Sequence, residues 1–164
     1  MPAPPGPTTD RTRYTRHPVQ VAAARHRAQR VVTGWGANRE TAENVSAVVS
    51  ELVTNAVIHA RTPRGREVGV TLILLDSVVR IEVRDADSTL PTLPPEPPDP
   101  TDLFSTGRGL LYVDSLCGGR WGSAEEVIGK TVWAEVPLDR AASDAPAPRP
   151  SEAGPDVCQG PGPQ

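Results

Sequence analysis

The segment 51–60, with the sequence ELVTNAVIHA, carries polar side chains at a spacing that could support chemistry. Glu51, Asn55 and His59 follow one another at four-residue intervals. Each interval turns about 40° beyond a full helical turn, so the three side chains form one polar stripe on a helix. An Asn oxygen is a hard, neutral ligand that Mg²⁺ accepts beside water and phosphate oxygens. A Glu one turn away can take a proton from an attacking hydroxyl group or water.

The residues around this stripe decide whether it is a site or a solvated helix face. Apolar residues recur at three- and four-residue spacing from Val45 to Val57, which predicts a helix that is buried on most sides. We therefore expect Glu51 and Asn55 to face a cleft. His59 is most simply interpreted as a residue that lines the cleft or is hydrogen-bonded there.

Further candidate residues lie downstream of this helix. Asp85 ends an apolar strand, where its carboxylate could accept a hydrogen bond from the amino group of adenine, although turn aspartates occupy the same place. The sequence Gly107-Arg108-Gly109-Leu110 opens a short helix, and glycines there let backbone N–H groups approach a phosphate. Arg108 could add positive charge at the terminal phosphate. Thr131, at the start of the last strand, could contact the base through its hydroxyl group or be an ordinary strand residue.

The elements that must position these residues alternate in type along the chain. Hydrophobic periodicity and turn residues predict a helix over 17–33, a helix from the cap Asn38 to about Ala60, a hairpin of strands 67–75 and 78–85, a Pro-rich loop over 88–106, a helix from Gly107 to about Cys117, a strand from Arg120 and a strand over 129–138. This order predicts an α+β fold with helices on one face of an antiparallel sheet.

Composition bounds the domain and its surroundings. Polar and Pro-rich sequence predicts a disordered segment over 1–16 and a disordered Pro/Gly-rich tail over 139–164, with one domain over 17–138. A net charge of −3 argues against a nucleic-acid binder, although the arginines within residues 1–30 could dock an acidic partner. No stretch suggests a signal peptide or a membrane span, so we expect a cytoplasmic protein with Cys117 and Cys158 reduced.

Taken in order, these motifs resemble those of the GHKL ATPase superfamily, which includes the catalytic domains of histidine kinases. The segment 51–60 resembles its N-box, Asp85 and the following residues its first glycine box, Gly107–Leu110 its second, and the segment 129–132 (GKTV) its closing Gly-Thr element. The resemblance covers about residues 17–138. Within the superfamily, the pattern E-L-x-T-N-A-x-x-H-A is most similar to the anti-sigma factor serine kinases of bacterial partner-switching systems.

The resemblance implies a two-layer α/β sandwich of Bergerat type, with a mixed, mostly antiparallel sheet and helices on one face. It implies ATP and Mg²⁺ as cofactors, Glu51 as the catalytic base and Asn55 as the metal ligand. Asp85, Thr131 and the segment 107–110 would hold the nucleotide, and residues 88–106 would form the ATP lid. The implied partners are a sigma factor and an anti-anti-sigma protein with a STAS domain, which the protein would phosphorylate on serine. A homodimer stays an open alternative.

One departure from the family pattern keeps a second hypothesis open. The first glycine box usually reads Asp-x-Gly-x-Gly, but residues 85–89 here are Asp-Ala-Asp-Ser-Thr. A non-catalytic module that binds nucleotide or sequesters a partner is therefore the alternative to a kinase. A fragment of a sensor histidine kinase is disfavoured, because no helix pair with a phosphoacceptor histidine precedes the domain.

Overall fold

A helix that lies across one face of an antiparallel sheet organises the fold. The computed structural model describes residues 6–59, 67–94 and 107–142. The strands are β1 (Thr9–Thr15), β2 (Glu67–Leu74), β3 (Val78–Asp85), β4 (Trp121–Glu125) and β5 (Lys130–Pro137), and the helices are α1 (Val19–Gly34), α2 (Arg39–Thr54) and α3 (Arg108–Cys117). The sheet order is β1-β2-β3-β5-β4, and every neighbouring pair is antiparallel.

The core lies between the sheet and the helices. Alternate residues of β2, β3 and β5 point toward the helices and are buried, which follows from the two-residue period of a strand. Val45, Val48, Val49, Leu52 and Val53 form the buried stripe of α2 that meets them. The other face of β3 carries Arg80, Glu82 and Arg84, as the alternation predicts. The predicted α+β sandwich with helices on one face is confirmed.

The start of α2 is fixed by a side-chain cap. The Asn38 side chain accepts a hydrogen bond from the Thr41 backbone N–H at 2.8 Å, which satisfies one of the N–H groups that a helix start leaves unpaired. The predicted cap is therefore present. At its other end α2 widens into a π-helical turn over Asn55–His59. Turns of this kind are often found at functional sites. Ala60, the predicted end of this helix, lies outside the described residues.

The N-terminal boundary of the domain was predicted wrongly. Thr9–Thr15 is not disordered but forms the edge strand β1, paired with β2 over its whole length. The polar composition of this segment predicted disorder, but an edge strand can also be polar because one of its faces is open to water. Tyr14 is buried against the helices, and the Asp10 carboxylate binds the Arg27 guanidinium of α1 at 2.6 and 3.1 Å. These contacts attach β1 to the domain, which begins before residue 17.

The C-terminal boundary also needs correction, since the chain does not leave the domain at Asp139. The backbone N–H of Asp139 donates to the Thr41 hydroxyl at 3.0 Å, and its carbonyl accepts from the Asn38 N–H at 2.7 Å. Arg140 forms an antiparallel bridge with Ala37. The predicted tail is thus anchored at its first residues to the start of α2. The prediction of disorder for residues 143–164 falls outside the described residues, as does Cys158.

Candidate nucleotide-binding site

Helix α2 presents Glu51 and Asn55 beside its buried stripe. Both side chains are partly buried, and over the part of the chain that the structure describes neither makes a hydrogen bond to protein. A half-buried amide or carboxylate without a protein partner is costly unless water or a ligand binds it. The stripe therefore faces a space where such a partner can bind. The side chain of His59, predicted to share the stripe, lies outside the described residues.

The Glu51 carboxylate lies directly against the backbone of α3. A Cβ atom added to Gly109 would overlap Glu51 Oε2, so the glycine permits an approach that any other residue would block. Burial raises the pKa of Glu51 above its usual value. A raised pKa brings a carboxylate closer to neutral pH, where a general base works best. The carboxylate of Glu51, the predicted catalytic residue, thus lies beside the start of α3, which could bind phosphate.

Gly107 sets the backbone conformation at the start of α3. Gly107 has a φ of 102°, a conformation that non-glycine residues rarely adopt, and it is the N-terminal flanking residue of α3. Gly107 has no side chain that could cap the helix, and a helix start of this kind presents N–H groups that can bind an anion. Leu110 is buried beneath them. Arg108 is the first residue of α3, and its contact with a terminal phosphate remains a prediction.

Asp85 ends β3 inside the fold rather than at its surface. Its Oδ1 accepts a hydrogen bond from the Asp87 N–H at 2.7 Å and from Lys130 Nζ at 3.2 Å. Burial raises the pKa of Asp85, and the Asp87 N–H and the Lys130 ammonium partly oppose that rise. Gly129 makes this arrangement possible, because a Cβ atom there would overlap the Asp85 carbonyl oxygen. The predicted base-binding carboxylate is therefore ordered and accessible from one side.

Asn55, Asp85, Gly107 and Gly109 converge on one cavity of about 200 Å³, which is less than the ~300–1,000 Å³ of a site for a drug-sized ligand and so suits part of a nucleotide. Glu51 is not among the lining residues but lies beside them, against Gly109. The cavity lining combines apolar walls with polar groups from α2, α3 and the ends of two strands: Leu52, Asn55, Ala56, Val83, Asp85, Asp87, Thr89, Leu90, Pro91, Thr92, Gly107, Gly109, Leu110, Lys130 and Val132. Apolar walls suit a planar base, and the polar groups set its orientation. The cavity thus joins the N-box helix, the first-box carboxylate and the second-box glycines.

Thr131 does not join this cavity, and its predicted contact with the base is wrong. Its hydroxyl donates to Glu126 Oε1 at 2.8 Å on the outer face of the sheet, where its neighbour across the strand pair is Arg84. Lys130 occupies the inner position instead, opposite Asp85. Strand alternation contained this signal, since Lys130 has the same parity as the buried Val132. The resemblance to a Gly-Thr element outweighed it.

Asp87 is a second cavity residue that the sequence argument did not assign. Its side chain accepts a hydrogen bond from the Thr89 N–H at 2.9 Å and so shapes the turn that a glycine-rich box would otherwise form. The described part of the predicted lid, through Pro94, contributes Thr89–Thr92 to the rim. Pro94 lies within 3.0–3.7 Å of the Cβ position of Gly107. Residues 95–106 of that lid lie outside the described residues.

The fold and the cavity define an α+β domain whose nucleotide cleft lies between a long helix and the sheet. The family model of the histidine kinase-like ATPase domain matches residues 14–118, which include α2, Asp85 and the start of α3. The chain therefore belongs to this family, as its resemblance to the GHKL superfamily predicted. None of the curated proteins matches the chain. No helix within the described ranges is long and apolar enough to cross a membrane.

The residues present fit the ligands that the family implies. Over residues 6–59, 67–94 and 107–142, no three His, Cys, Asp or Glu side chains cluster as a metal cage. Mg²⁺ does not need one, because it is usually held by one or two protein ligands with phosphate oxygens and water. The Asn55 amide lies on the cavity wall and has no partner among the described residues, which fits that pattern. ATP is supported as the ligand of this family, and Mg²⁺ through Asn55 is an inference from these contacts.

Proposed function

We propose that the protein is an ATP-dependent serine kinase of the anti-sigma type, which phosphorylates a STAS-domain partner and so controls a sigma factor. The observation that carries the proposal is the approach of the Glu51 carboxylate to Gly109, at the start of α3. One helix thereby brings a carboxylate of raised pKa and the amide of Asn55 to the place where terminal phosphates would bind. Phosphoryl transfer needs mainly positioning and charge stabilisation, and this site offers both.

Each group then has a distinct role. Glu51 accepts the proton of the attacking serine hydroxyl, and burial raises its pKa and so makes it a stronger base than an exposed carboxylate. The N–H groups at the start of α3 stabilise negative charge on the phosphates. Asn55 would hold Mg²⁺, which when bound neutralises charge on the phosphate oxygens. The apolar wall that includes Leu52 and Val83 excludes water from the base.

A second candidate function is a non-catalytic module that binds nucleotide and a partner without transferring phosphate. The observation that favours it is the turn after Asp85, where Asp87 replaces a family glycine and places a second carboxylate in the cavity wall. Such a charge weakens the attraction for an anionic ligand. A module of this kind would bind Mg²⁺-ATP saturably but leave every STAS protein unmodified.

A phosphotransfer assay distinguishes these candidates. The purified chain is incubated with γ-labelled ATP, Mg²⁺ and each STAS-domain protein of the same genome in turn. Wild type is expected to label one of them on serine, and Glu51→Gln should reduce the rate about 10²–10⁴-fold because it removes the general base. ATP binding by Glu51→Gln should stay close to wild type.

The exposed Glu125 provides a matched control. Glu125→Gln makes the same chemical change at an exposed residue outside the cavity lining and should transfer phosphate at the wild-type rate. Transfer by Glu51→Gln at the wild-type rate would refute the assignment of the base. Saturable ATP binding without transfer to any STAS protein would support the non-catalytic module.

A further inference from the structure

Lys130, the single lysine of the chain, is buried at the cavity wall. Its ammonium donates to Asp85 Oδ1 at 3.2 Å and to the Asp87 carbonyl oxygen at 2.9 Å. The Lys130 and Asp85 side chains are only 10% and 5% exposed. An ammonium group has three N–H donors, so these two contacts leave one donor for the cavity.

Asp85 presents an acceptor beside that donor. Its Oδ1 is engaged by Lys130 and by the Asp87 N–H, whereas no hydrogen bond from the described residues reaches Oδ2. Asp85 and Lys130 are direct partners in the β3–β5 register, so their free groups lie side by side. The inner end of the cavity therefore offers one carboxylate acceptor next to one ammonium donor, between apolar walls.

This pair is complementary to the edge of adenine. The 6-amino group of adenine is a donor, and the neighbouring ring atom N1 is an acceptor. We propose that Lys130 determines base specificity by donating a hydrogen bond directly to adenine N1, while Asp85 Oδ2 accepts from the 6-amino group. The inference rests on the proposed nucleotide binding and goes beyond it, because it assigns a base contact to a residue for which the resemblance implies no role.

The surroundings make such a contact selective. Hydrogen bonds with a charged partner are stronger than neutral ones, and an apolar cavity strengthens them further. Guanine has an acceptor at position 6 and a donor at position 1. In the same pose the Lys130 donor would face a donor, and the Asp85 acceptor would face an acceptor. A buried polar group left without a partner costs more than a hydrogen bond contributes. Lys130 and Asp85 together therefore favour ATP over GTP.

Binding of ATP and of 1-deaza-ATP, which has C–H in place of N1, tests the contact by calorimetry. Wild type should bind ATP about 10- to 100-fold more tightly than 1-deaza-ATP, the effect of one hydrogen bond to a charged group. Lys130→Met should bind ATP more weakly and bring the ratio of the two affinities close to one. Thr131→Val alters the adjacent, outward-facing residue and should keep the wild-type ratio.

The ratio separates this inference from two other outcomes. If Lys130 only holds Asp85 in place, Lys130→Met weakens both nucleotides equally and the ratio stays at its wild-type value, which would overturn the proposal. A wild-type ratio near one would overturn it too, while ATP binding itself would stand. A wild-type chain that binds neither nucleotide would remove both the proposed function and this inference.

The single lysine also allows a measurement that needs no variant. Protein labelled with ¹⁵N-lysine gives one side-chain ammonium signal, from Lys130. If Lys130→Met does not fold, this signal decides the question in wild type at saturating nucleotide. A shift that is larger with ATP than with 1-deaza-ATP supports the direct contact, and equal shifts with both contradict it.

Discussion

At the scale of single residues, the approach of Glu51 to Gly109 is the feature on which the proposed catalysis depends. The carboxylate is the flexible end of its side chain, so a Cβ atom at position 109 would displace it rather than the helix backbone. The geometry of the base would change while the fold stays intact. Small displacements of a catalytic group can reduce rates about 10²-fold.

Gly109→Ala is therefore expected to lower phosphotransfer about 10²-fold with little change in thermal unfolding, because alanine favours a helix over glycine. Phosphotransfer to the proposed STAS partner and the midpoint of thermal unfolding measure the two effects. Gly34→Ala is the matched control, since Gly34 ends α1 and no atom of the described residues would contact a Cβ atom there within 4 Å. Equal activity of the two variants would contradict the assigned contact.

Glu51 also makes a prediction about stability and pH. Burial raises its pKa in the folded state, so the folded protein binds this proton more tightly than the unfolded chain. The contribution of Glu51 to the free energy of unfolding therefore falls as pH rises from its ordinary pKa, 4.5, through the folded value. Above that window the ionised carboxylate opposes folding.

Glu51→Gln removes this unfavourable charge. Its stability relative to wild type should be smallest below pH 4.5 and should increase through the window to a constant advantage at neutral pH. Urea unfolding at several pH values measures the difference, with Glu125→Gln as the exposed control. A Glu51→Gln protein that is less stable than wild type at neutral pH, relative to that control, would show that the carboxylate is stabilised rather than desolvated.

At the scale of elements, the junction of β3 and β5 holds the base end of the cavity. Gly129 has a φ of 82°, and a Cβ atom there would lie 2.6 Å from Ala86 Cα and would overlap the Asp85 carbonyl oxygen. Both neighbours belong to backbone, so they cannot move aside cheaply. Residues 86–89 contain no glycine, but Gly129, at the start of the partner strand, lets the two backbones approach each other closely at Asp85 and Ala86.

Gly129→Ala should lower the free energy of unfolding by at least ~2 kcal/mol more than Gly119→Ala. Gly119 has a similar φ of 79°, but within the described part of the chain no atom lies within 4 Å of its Cβ position. That variant therefore measures the conformational strain alone, about 1–2 kcal/mol. Chemical denaturation of both variants gives the difference. Equal losses would mean that the approach to Asp85 and Ala86 contributes nothing.

The elements also show what sequence patterns could and could not predict. The α2 stripe, the Asn38 cap and the β2–β3 hairpin follow from local periodicity and turn residues, and each was predicted. Strand β1 was missed because its stability comes from pairing with β2 and from the contact between Asp10 and Arg27, which are distant in sequence. The inward position of Lys130 was readable from alternation, yet its contact with Asp85 depends on the β3–β5 register, which only the fold provides.

At the scale of the whole molecule, the helices pack on one face of the sheet, and the other, outer face is polar. There the Arg80 guanidinium binds Glu82 and Glu135, each at 2.9 Å, and lies 4.3 Å from the centre of the Trp133 ring. On this face the described residues stabilise one another by contacts across the strands. The inner face, covered by α1, α2 and α3, carries the cavity. The division explains why Thr131 and Lys130, adjacent in sequence, have unrelated roles.

Several arginines of the basic N-terminal region make contacts within the domain. Arg27 pairs with Asp10, Arg13 lies 3.5 Å from Glu67, and Arg16 donates to the Val57 carbonyl oxygen in the π-helical turn after Asn55. These arginines fasten β1 and the turn before α1 to the domain. The proposed docking of an acidic partner would therefore fall to the remaining basic residues, such as Arg25 and Arg30 of α1.

The central claim is that α2, Asp85 and the start of α3 form one Mg²⁺-dependent ATP site, and calorimetric titration with ATP tests it most directly. Wild type should bind one ATP with Mg²⁺ and much more weakly with EDTA. Asn55→Ala should lose at least ~10-fold in affinity with Mg²⁺ and little without it, since it removes only the metal ligand. Asn44→Ala, the same change on α2 outside the cavity, should behave as wild type. Mg²⁺-dependent binding by Asn55→Ala at wild-type affinity would contradict the account.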